Sequence, residues 1–196
     1  MRGYATSVLF LGDSIMEGMA PFLGPAAAMQ GARRVGVYSK SGSSAADWQA
    51  NRWARELVLE FRQPRIVVVA LGTNVSGRTE ADFAASVAGL ISNAQEAWPF
   101  EAIVVGPFAE DDDGRRNRAL RDLFGPRFVD GYALAQGLPR AGVGDVHFTN
   151  DGYRRLAERL CVRLRPWIWR SMRPGRSIRA VGAVLLGGVL LPFVPL

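Results

Sequence analysis

The sequence has one cysteine and one histidine, and both scarcities limit its chemistry. With only Cys161, the chain forms no intramolecular disulfide and no cysteine-based metal cluster. With only His147, most histidine-ligated zinc and copper sites are excluded as well. We therefore expect neither a metal site nor a cofactor, and any reaction must use hydroxyls, carboxylates, amides and one imidazole.

Lysine is almost absent too, because 23 of the 24 basic residues are arginine and Lys40 is the exception. These charges are unevenly placed. Residues 1–152 carry a net charge of −2 and residues 153–196 carry +8, which together give the net +6 of the chain. A nucleic-acid-binding protein usually spreads its basic residues over the folded domain. The segregation argues against a nucleic acid partner and favours a membrane surface or a separate role of the C-terminal end.

Charge is missing altogether from Ala180–Leu196, which follows an arginine-rich linker at 171–179. As a helix this segment rises about 25 Å, which is marginal for a hydrocarbon core of about 30 Å. We predict membrane association through residues 163–196, with Trp167 and Trp169 at the headgroup boundary. The alternative is an apolar arm that packs on its own domain or on a partner. No signal peptide is recognisable, so a cytoplasmic location is expected.

The length of 196 residues suits one main domain, which we place at residues 1–170. Short, continuous apolar runs alternate with amphipathic stretches. This pattern predicts parallel strands buried on both faces, with helices between them. The predicted strands are Val8–Leu11, Val35–Tyr38, Ile66–Leu71, Ala102–Val105 and Phe128–Val129. The predicted helices are 16–30, 45–62, 80–97, 114–124 and 151–170, the last of them capped by Asn150.

Polar features follow these strands at one edge of the predicted sheet, where the ligands of parallel α/β proteins collect. Ser14, Gly42 and Asn74 follow the first three strands, and His147 precedes the last helix. A serine hydroxyl is a weak nucleophile that needs a base, and His147 is the one imidazole available. The N–H groups of Ser14 and Gly42 and the side-chain amide of Asn74 are suitable donors to the oxyanion of an acyl-transfer reaction.

The stretches that hold these residues are "GDSIMEG", "SGSS", "GTN" and "DVHFTNDGY". They resemble the blocks of the SGNH (GDSL) hydrolase superfamily, which contribute Ser, Gly, Asn and His in that chain order, and the resemblance covers about residues 6–160. It implies an α/β fold, a flavodoxin-like three-layer α/β/α sandwich of about five parallel strands. It also implies metal-free hydrolysis of esters or thioesters, with Ser14 as nucleophile, His147 as base and Ser14, Gly42 and Asn74 as the oxyanion hole.

Two positions depart from the pattern of that superfamily. Val75 follows Asn74 where an aspartate is usual, so a supporting carboxylate is missing. The triad acid usually lies three residues before the histidine, where this chain has Gly144, whereas Asp145 lies two before. In an extended segment Asp145 faces the same side as His147, and some SGNH-like sugar O-acetyltransferases use this D-x-H spacing. We assign Asp145 as the catalytic acid; the alternative is a Ser–His dyad.

Other features have less specific interpretations. We expect Asp13 to bind neighbouring backbone rather than to act as a second catalytic acid. The run Glu110–Asp113 is interpreted as a solvated helix N-terminus rather than a cation site. Trp48 and Trp53 line an acyl or sugar pocket or pack in the core. A nucleotide-binding module of flavodoxin type would leave His147 and Asn74 without a role, and "GTNVSG" lacks the lysine of a phosphate loop.

The sequence therefore predicts a serine ester hydrolase that acts on a small-molecule or carbohydrate ester through an acyl-serine intermediate. One alternative is an O-acyltransferase that passes an acetyl group to a sugar hydroxyl. A second alternative is an inactive SGNH-like binding domain at a membrane.

Overall fold

The computed structural model describes residues 6–74, 79–109 and 114–172. In this part of the chain five strands form one parallel sheet in the order β2-β1-β3-β4-β5. The strands are β1 (Ser7–Gly12), β2 (Arg34–Ser39), β3 (Ile66–Ala70), β4 (Glu101–Val105) and β5 (Phe128–Val129). The predicted parallel sheet is thus confirmed, and its strand order is that of flavodoxin-like folds.

Helices cover both faces of the sheet. They are α1 (Ser14–Met29), α2 (Ala45–Ala50), α3 (Trp53–Phe61), α4 (Glu80–Gln95), α5 (Arg115–Phe124), α6 (Gly131–Ala135) and α7 (Asn150–Ser171). Because side chains alternate along a strand, Val8 and Phe10 of β1 join a core with α1 and α7. Leu9 and Leu11 join a second core with α2, α3, α4 and α5. The result is the predicted three-layer α/β/α sandwich.

Several predicted boundaries are wrong. The predicted helix 45–62 is two helices, because Arg52 adopts a left-handed conformation with φ +53°. The cap of the last helix is Thr149 rather than Asn150, since the Thr149 hydroxyl accepts a hydrogen bond from the N–H of Gly152 at 3.1 Å. The second strand is not buried on both faces, because β2 is the edge strand and its side chains are half-buried or exposed.

The predicted apolar stripe is confirmed on α7, where its residues from Tyr153 to Trp167 are buried. Trp167 lies in the core against the sheet, so the prediction that it lies at a headgroup boundary is wrong. Trp169 is half-exposed, and its indole N–H donates to Gln30 O at 3.1 Å. Among the described residues no helix is both long and apolar enough to span a membrane. Residues 173–196 lie outside them, so the predicted tail and its membrane association stay predictions.

Asp13 connects the ends of the two central strands. Its Oδ1 caps α1 by accepting the N–H of Ile15 at 3.1 Å, and its Oδ2 accepts the N–H of Thr73 after β3 at 3.2 Å. This confirms the backbone role that we expected. Burial raises the pKa of the Asp13 carboxyl above its ordinary value, although the hydrogen bonds from Ile15 and Thr73 oppose the shift. The interaction therefore holds an acidic side chain in a place that disfavours its charge.

The raised pKa of Asp13 predicts how the free energy of unfolding changes with pH. A carboxyl with a raised folded-state pKa binds its proton more tightly in the folded than in the unfolded chain. The free energy of unfolding of the wild type relative to Asp13→Asn should therefore increase as the pH falls from neutrality through the folded-state pKa. Urea unfolding of both proteins at several pH values measures this difference.

Asp151→Asn is the control with the opposite sign. A hydrogen bond from Arg154 lowers the pKa of Asp151, so the stability that this carboxylate contributes is lost as the pH falls. The difference in the free energy of unfolding between the wild type and Asp151→Asn should therefore shrink as the pH falls. A difference between wild type and Asp13→Asn that also shrinks in acid would contradict the raised pKa.

Candidate active site

Ser14 and His147 meet at the carboxyl edge of the sheet. Ser14 is the first residue of α1, directly after the capping Asp13. The Nε2 atom of His147 lies 3.1 Å from Ser14 Oγ, although the two residues are 133 positions apart in the chain. This is hydrogen-bond distance, so the imidazole is placed to take the hydroxyl proton.

Asp145 holds the other side of the imidazole. Its Oδ1 lies 3.0 Å from His147 Nδ1 and accepts the backbone N–H of His147 at 2.9 Å. These two hydrogen bonds from His147, the backbone one first, lower the pKa of the Asp145 carboxyl. An ionised carboxylate accepts a hydrogen bond from Nδ1–H, which keeps the hydrogen on Nδ1 and leaves the Nε2 lone pair for the Ser14 proton. The predicted contact between Asp145 and His147 is thus present.

Gly144 explains why the acid lies two rather than three residues before the histidine. The N–H of Asp145 donates to Gly142 O at 3.2 Å, which closes a tight turn with Gly144 at its third position. Gly144 has a φ of +75°, a value that favours glycine. The turn therefore takes the position where related sequences have the acid. Val146 and His147 lie in a bend rather than in the extended segment that we expected, and the Asp145 carboxylate closes this bend by accepting the N–H of His147.

The Gly42 loop is a second tight turn. The N–H of Ser43 donates to Lys40 O at 3.2 Å, and Gly42 has a φ of +74°. The Nδ2 atom of Asn74 donates to Ser43 O at 3.1 Å, which joins the loops after β2 and β3. Within the described residues, neither the N–H of Ser14 nor that of Gly42 donates a hydrogen bond to the protein. These groups and the second Asn74 amide hydrogen remain for a bound oxygen.

The distance between the serine and the histidine depends on how closely α1 and α7 pack. The ring of Tyr153 on α7 lies directly over Gly18 on α1, where a Cβ would come within 2.2 Å of the Tyr153 Cζ. Tyr153 also packs edge-on against Phe148, the residue after His147, with ring centroids 5.5 Å apart. The sequence shows Gly18 and Tyr153 but gives no sign that they meet.

Arg140 is a residue near the site that the sequence analysis missed. Its guanidinium donates to Val146 O and lies over the ring of Phe148, so it contacts both neighbours of His147. Nothing in the stretch "RAGVGDVHF" distinguishes Arg140 from the other arginines of a basic sequence. The loop conformation alone brings it to the histidine.

Trp48 confirms the interpretation as a core residue, and the acyl or sugar pocket stays a prediction. Trp48 is fully buried, and its indole N–H donates to Ser43 Oγ at 2.8 Å, so it packs in the core and also supports the Gly42 loop. Trp53 is half-buried, with the two rings edge to face at 5.7 Å. Both tryptophans line a cavity of about 230 Å³ next to this loop, together with Tyr38, Ser39, Lys40, Glu56, Leu57 and Glu60.

The remaining candidates contribute less. Burial raises the pKa of the Cys161 thiol to about 12, so it stays protonated and is no competing nucleophile. In the described ranges no three His, Cys, Asp or Glu residues cluster as metal ligands. Val75 and the acidic run Glu110–Asp113 lie outside the described residues.

No family model and no curated protein matches the chain. Solved structures do match its fold. A carbohydrate esterase of family 3 from Talaromyces cellulolyticus is 18% identical, with a TM-score of 0.58 over 84% of this chain and 99% of that one. A member of the lipolytic protein G-D-S-L family from Veillonella parvula is 17% identical, with a TM-score of 0.54 over 79% of this chain and 96% of that one.

A third match is the catalytic domain of peptidoglycan O-acetyltransferase A from Streptococcus pneumoniae. It is 15% identical, with a TM-score of 0.56 over 83% of this chain and 94% of that one. At these identities the likeness concerns the fold. The chain therefore shares the fold of these esterase, lipolytic and O-acetyltransferase proteins, which agrees with the fold that its four sequence blocks imply.

Proposed function

We propose that this protein is a metal-free serine hydrolase of carboxylic esters that works through an acyl-serine intermediate. The observation that carries the proposal is the chain of contacts from Ser14 Oγ to His147 Nε2, and from His147 Nδ1 to Asp145 Oδ1, at 3.1 and 3.0 Å. A hydroxyl, an imidazole and an ionised carboxylate in this order are the parts of a catalytic triad. They lie at the carboxyl edge of the sheet, the usual place of an active site in this architecture.

In the proposed reaction, Ser14 Oγ attacks the ester carbonyl while His147 Nε2 accepts the hydroxyl proton. The tetrahedral oxyanion binds the N–H groups of Ser14 and Gly42 and the side-chain amide of Asn74. His147 then returns the proton to the alcohol, which leaves as the ester C–O bond breaks. A water molecule repeats the sequence on the acyl-serine, which releases the acid and restores the serine. Asp145 keeps the imidazole in the required tautomer.

An O-acyltransferase is the second candidate, favoured by the Asp145–His147 arrangement and by the fold that the chain shares with an O-acetyltransferase domain. The two activities share the acyl-serine and differ in whether water or a sugar hydroxyl accepts the acyl group. Mass analysis of the products from p-nitrophenyl acetate, with and without added sugar, separates them. Acetylated sugar at the expense of acetate supports the transferase, whereas free acetate alone supports the hydrolase.

Substitution of the nucleophile tests the proposal directly. Ser14→Ala should remain folded, because the half-exposed hydroxyl adds little to packing, and should lower kcat on p-nitrophenyl acetate by at least about 10³-fold. It should also abolish labelling by a fluorophosphonate probe. Ser92→Ala, on the exposed face of α4, is the control and should leave both measurements unchanged. Full turnover by Ser14→Ala would refute the mechanism, and a wild type that neither turns over ester nor labels would support the inactive binding domain.

Replacement of Asp145 distinguishes a triad from a dyad. Asp145→Asn keeps the shape of the side chain but removes the charge that selects the Nδ1–H tautomer, so kcat should fall by about 10²–10⁴-fold with a smaller change in KM. Asp151→Asn, on the first turn of α7, is the matched control because Asp151 binds Arg154 and Arg155 and not the imidazole. If Asp145→Asn is as active as Asp151→Asn, the site is a Ser–His dyad.

A further inference from the structure

We propose that the cavity lined by Trp48 and Trp53 binds a single sugar ring, which is the alcohol part of the ester. This inference deepens the proposed function and depends on it. The cavity has a volume of about 230 Å³. Pockets for drug-sized ligands measure about 300–1,000 Å³, so this one takes a smaller group.

The chemistry of the cavity wall favours a neutral polyhydroxylated ring. Trp48, Trp53 and Leu57 supply an apolar wall. Lys40 supplies donors, and its ammonium lies 3.7 Å from the Trp53 ring centroid. Glu56 and Glu60 supply acceptors at the rim, with Tyr38 OH donating to Glu60 at 3.3 Å. A sugar ring matches this mixture, since its C–H groups pack on the half-exposed Trp53 ring and its hydroxyls both donate and accept. On binding, the Lys40 ammonium exchanges its contact with that ring for the sugar hydroxyls.

The cavity is close enough to the reacting ester to hold its alcohol part. Lys40 lies two residues before Gly42, which limits the separation of their Cα atoms to about 7 Å. The N–H of Lys40 donates to Gly12 O, two residues before Ser14, and Trp48 supports the same turn through Ser43. The Lys40 end of the cavity is therefore next to the turn that carries the Gly42 N–H. An apolar acyl chain fits less well, because it would desolvate the Lys40, Glu56 and Glu60 charges.

Selectivity between two substrates tests this assignment. The ratio of kcat/KM on methyl 6-O-acetyl-β-glucopyranoside to kcat/KM on p-nitrophenyl acetate should fall about tenfold in Trp53→Ala, as expected for the loss of one aromatic contact. Trp169→Ala is the matched control, because Arg165 lies 4.0 Å from that ring just as Lys40 lies over Trp53. The control should keep the wild-type ratio. An unchanged ratio in Trp53→Ala, or a larger loss on p-nitrophenyl hexanoate than on the sugar ester, overturns the proposal.

Binding without turnover separates this inference from the proposed function. Saturation-transfer NMR with methyl β-glucopyranoside should show contact with wild type and Trp169→Ala, and much weaker contact with Trp53→Ala. If sugar binds in this way but no ester is hydrolysed, the proposed function fails and the sugar site stands. If esters are hydrolysed but no sugar contact depends on Trp53, the sugar site is refuted and the hydrolase stands.

A separate set of contacts leads us to infer that Arg140 is a positioning residue for His147. Its guanidinium donates to Val146 O and to Phe108 O, the latter at 3.1 Å, and its Cζ lies 3.9 Å from the centroid of Phe148. It thus binds the residues before and after the histidine and ties both to the loop after β4. Burial lowers the pKa of Arg140, and Asp145 opposes the shift.

Phe148 anchors one end of the histidine loop by packing against Tyr153, and backbone hydrogen bonds join its two arms. The two arms pair through the N–H of Ala141 to His147 O at 3.0 Å and the N–H of Thr149 to Pro139 O at 3.1 Å. The tip between these arms carries Asp145 and is exposed. Arg140 crosses from one arm to the other, so its loss should let His147 shift relative to Ser14. A misplacement of about 1 Å is enough to lower a rate about 10²-fold.

Arg140→Ala should therefore lower kcat on p-nitrophenyl acetate by about 10–10²-fold with little change in KM. Guanidinium chloride, far below denaturing concentrations, should restore part of the loss by filling the vacated space. The matched control is Arg159→Ala, because Arg159 also donates to two backbone carbonyls, Leu134 O and Gln136 O, away from the site. It should keep kcat and show no response to guanidinium.

The outcomes separate positioning from simple stability. If both variants lose thermal stability alike and only Arg140→Ala loses kcat and recovers it with guanidinium, the positioning role is supported. If Arg140→Ala keeps kcat, or loses it without recovery while unfolding at assay temperature, the role is refuted. A wild type that lacks esterase activity refutes the proposed function instead, and the positioning role with it.

Discussion

The contact between Tyr153 and Gly18 is the constraint on which the candidate site depends. Ser14 begins α1 and His147 precedes α7, so the geometry of their hydrogen bond follows from how these two helices pack. Any side chain at position 18 would occupy the space of the Tyr153 ring. The far end of α7 is fixed as well, because Ser171 Oγ lies 2.9 Å from Thr6 Oγ1 just before β1. A helix held at both ends along the sheet fixes the position of the loop that carries the histidine.

The loops at the carboxyl edge of the sheet are also joined to each other by hydrogen bonds. Asp13 joins the loop after β1 to that after β3, Asn74 joins the latter to the Gly42 turn, and Trp48 anchors that turn to α2. Each bond uses a donor or acceptor on the loop and leaves the N–H groups of Ser14 and Gly42 available. Donors that are fixed before substrate arrives need no reorganisation during the reaction, which is where such sites gain most of their rate.

The sequence predicts the sheet and the four block residues well because both follow from local patterns. Short branched runs indicate buried strands, and in an all-parallel sheet the residues that follow the strands lie at one edge whatever the strand order. The features that the sequence does not predict depend on where a segment lies in the tertiary structure. Val35–Tyr38 has the same composition as a central strand, and only the strand order makes β2 an edge. The break at Arg52 is a left-handed backbone conformation at a residue that is not glycine, and Arg140 contacts Phe108 O, 32 residues away; a single sequence carries no pattern for either.

Two aspartates flank the reacting pair, and their environments assign them different tasks. Asp13 is buried and its pKa is raised, and the structure uses its oxygens for the N–H groups of Ile15 and Thr73. Asp145 is exposed and its pKa is lowered by the hydrogen bonds from His147. A carboxylate that orients an imidazole must stay ionised while the imidazole gains and loses a proton. Asp145 meets this requirement, whereas Asp13, although next to Ser14 in the chain, is committed to the backbone. The contact of Asp145 with His147 Nδ1 therefore supports it as the proposed acid, and the opposite directions of the two pKa shifts agree with that assignment.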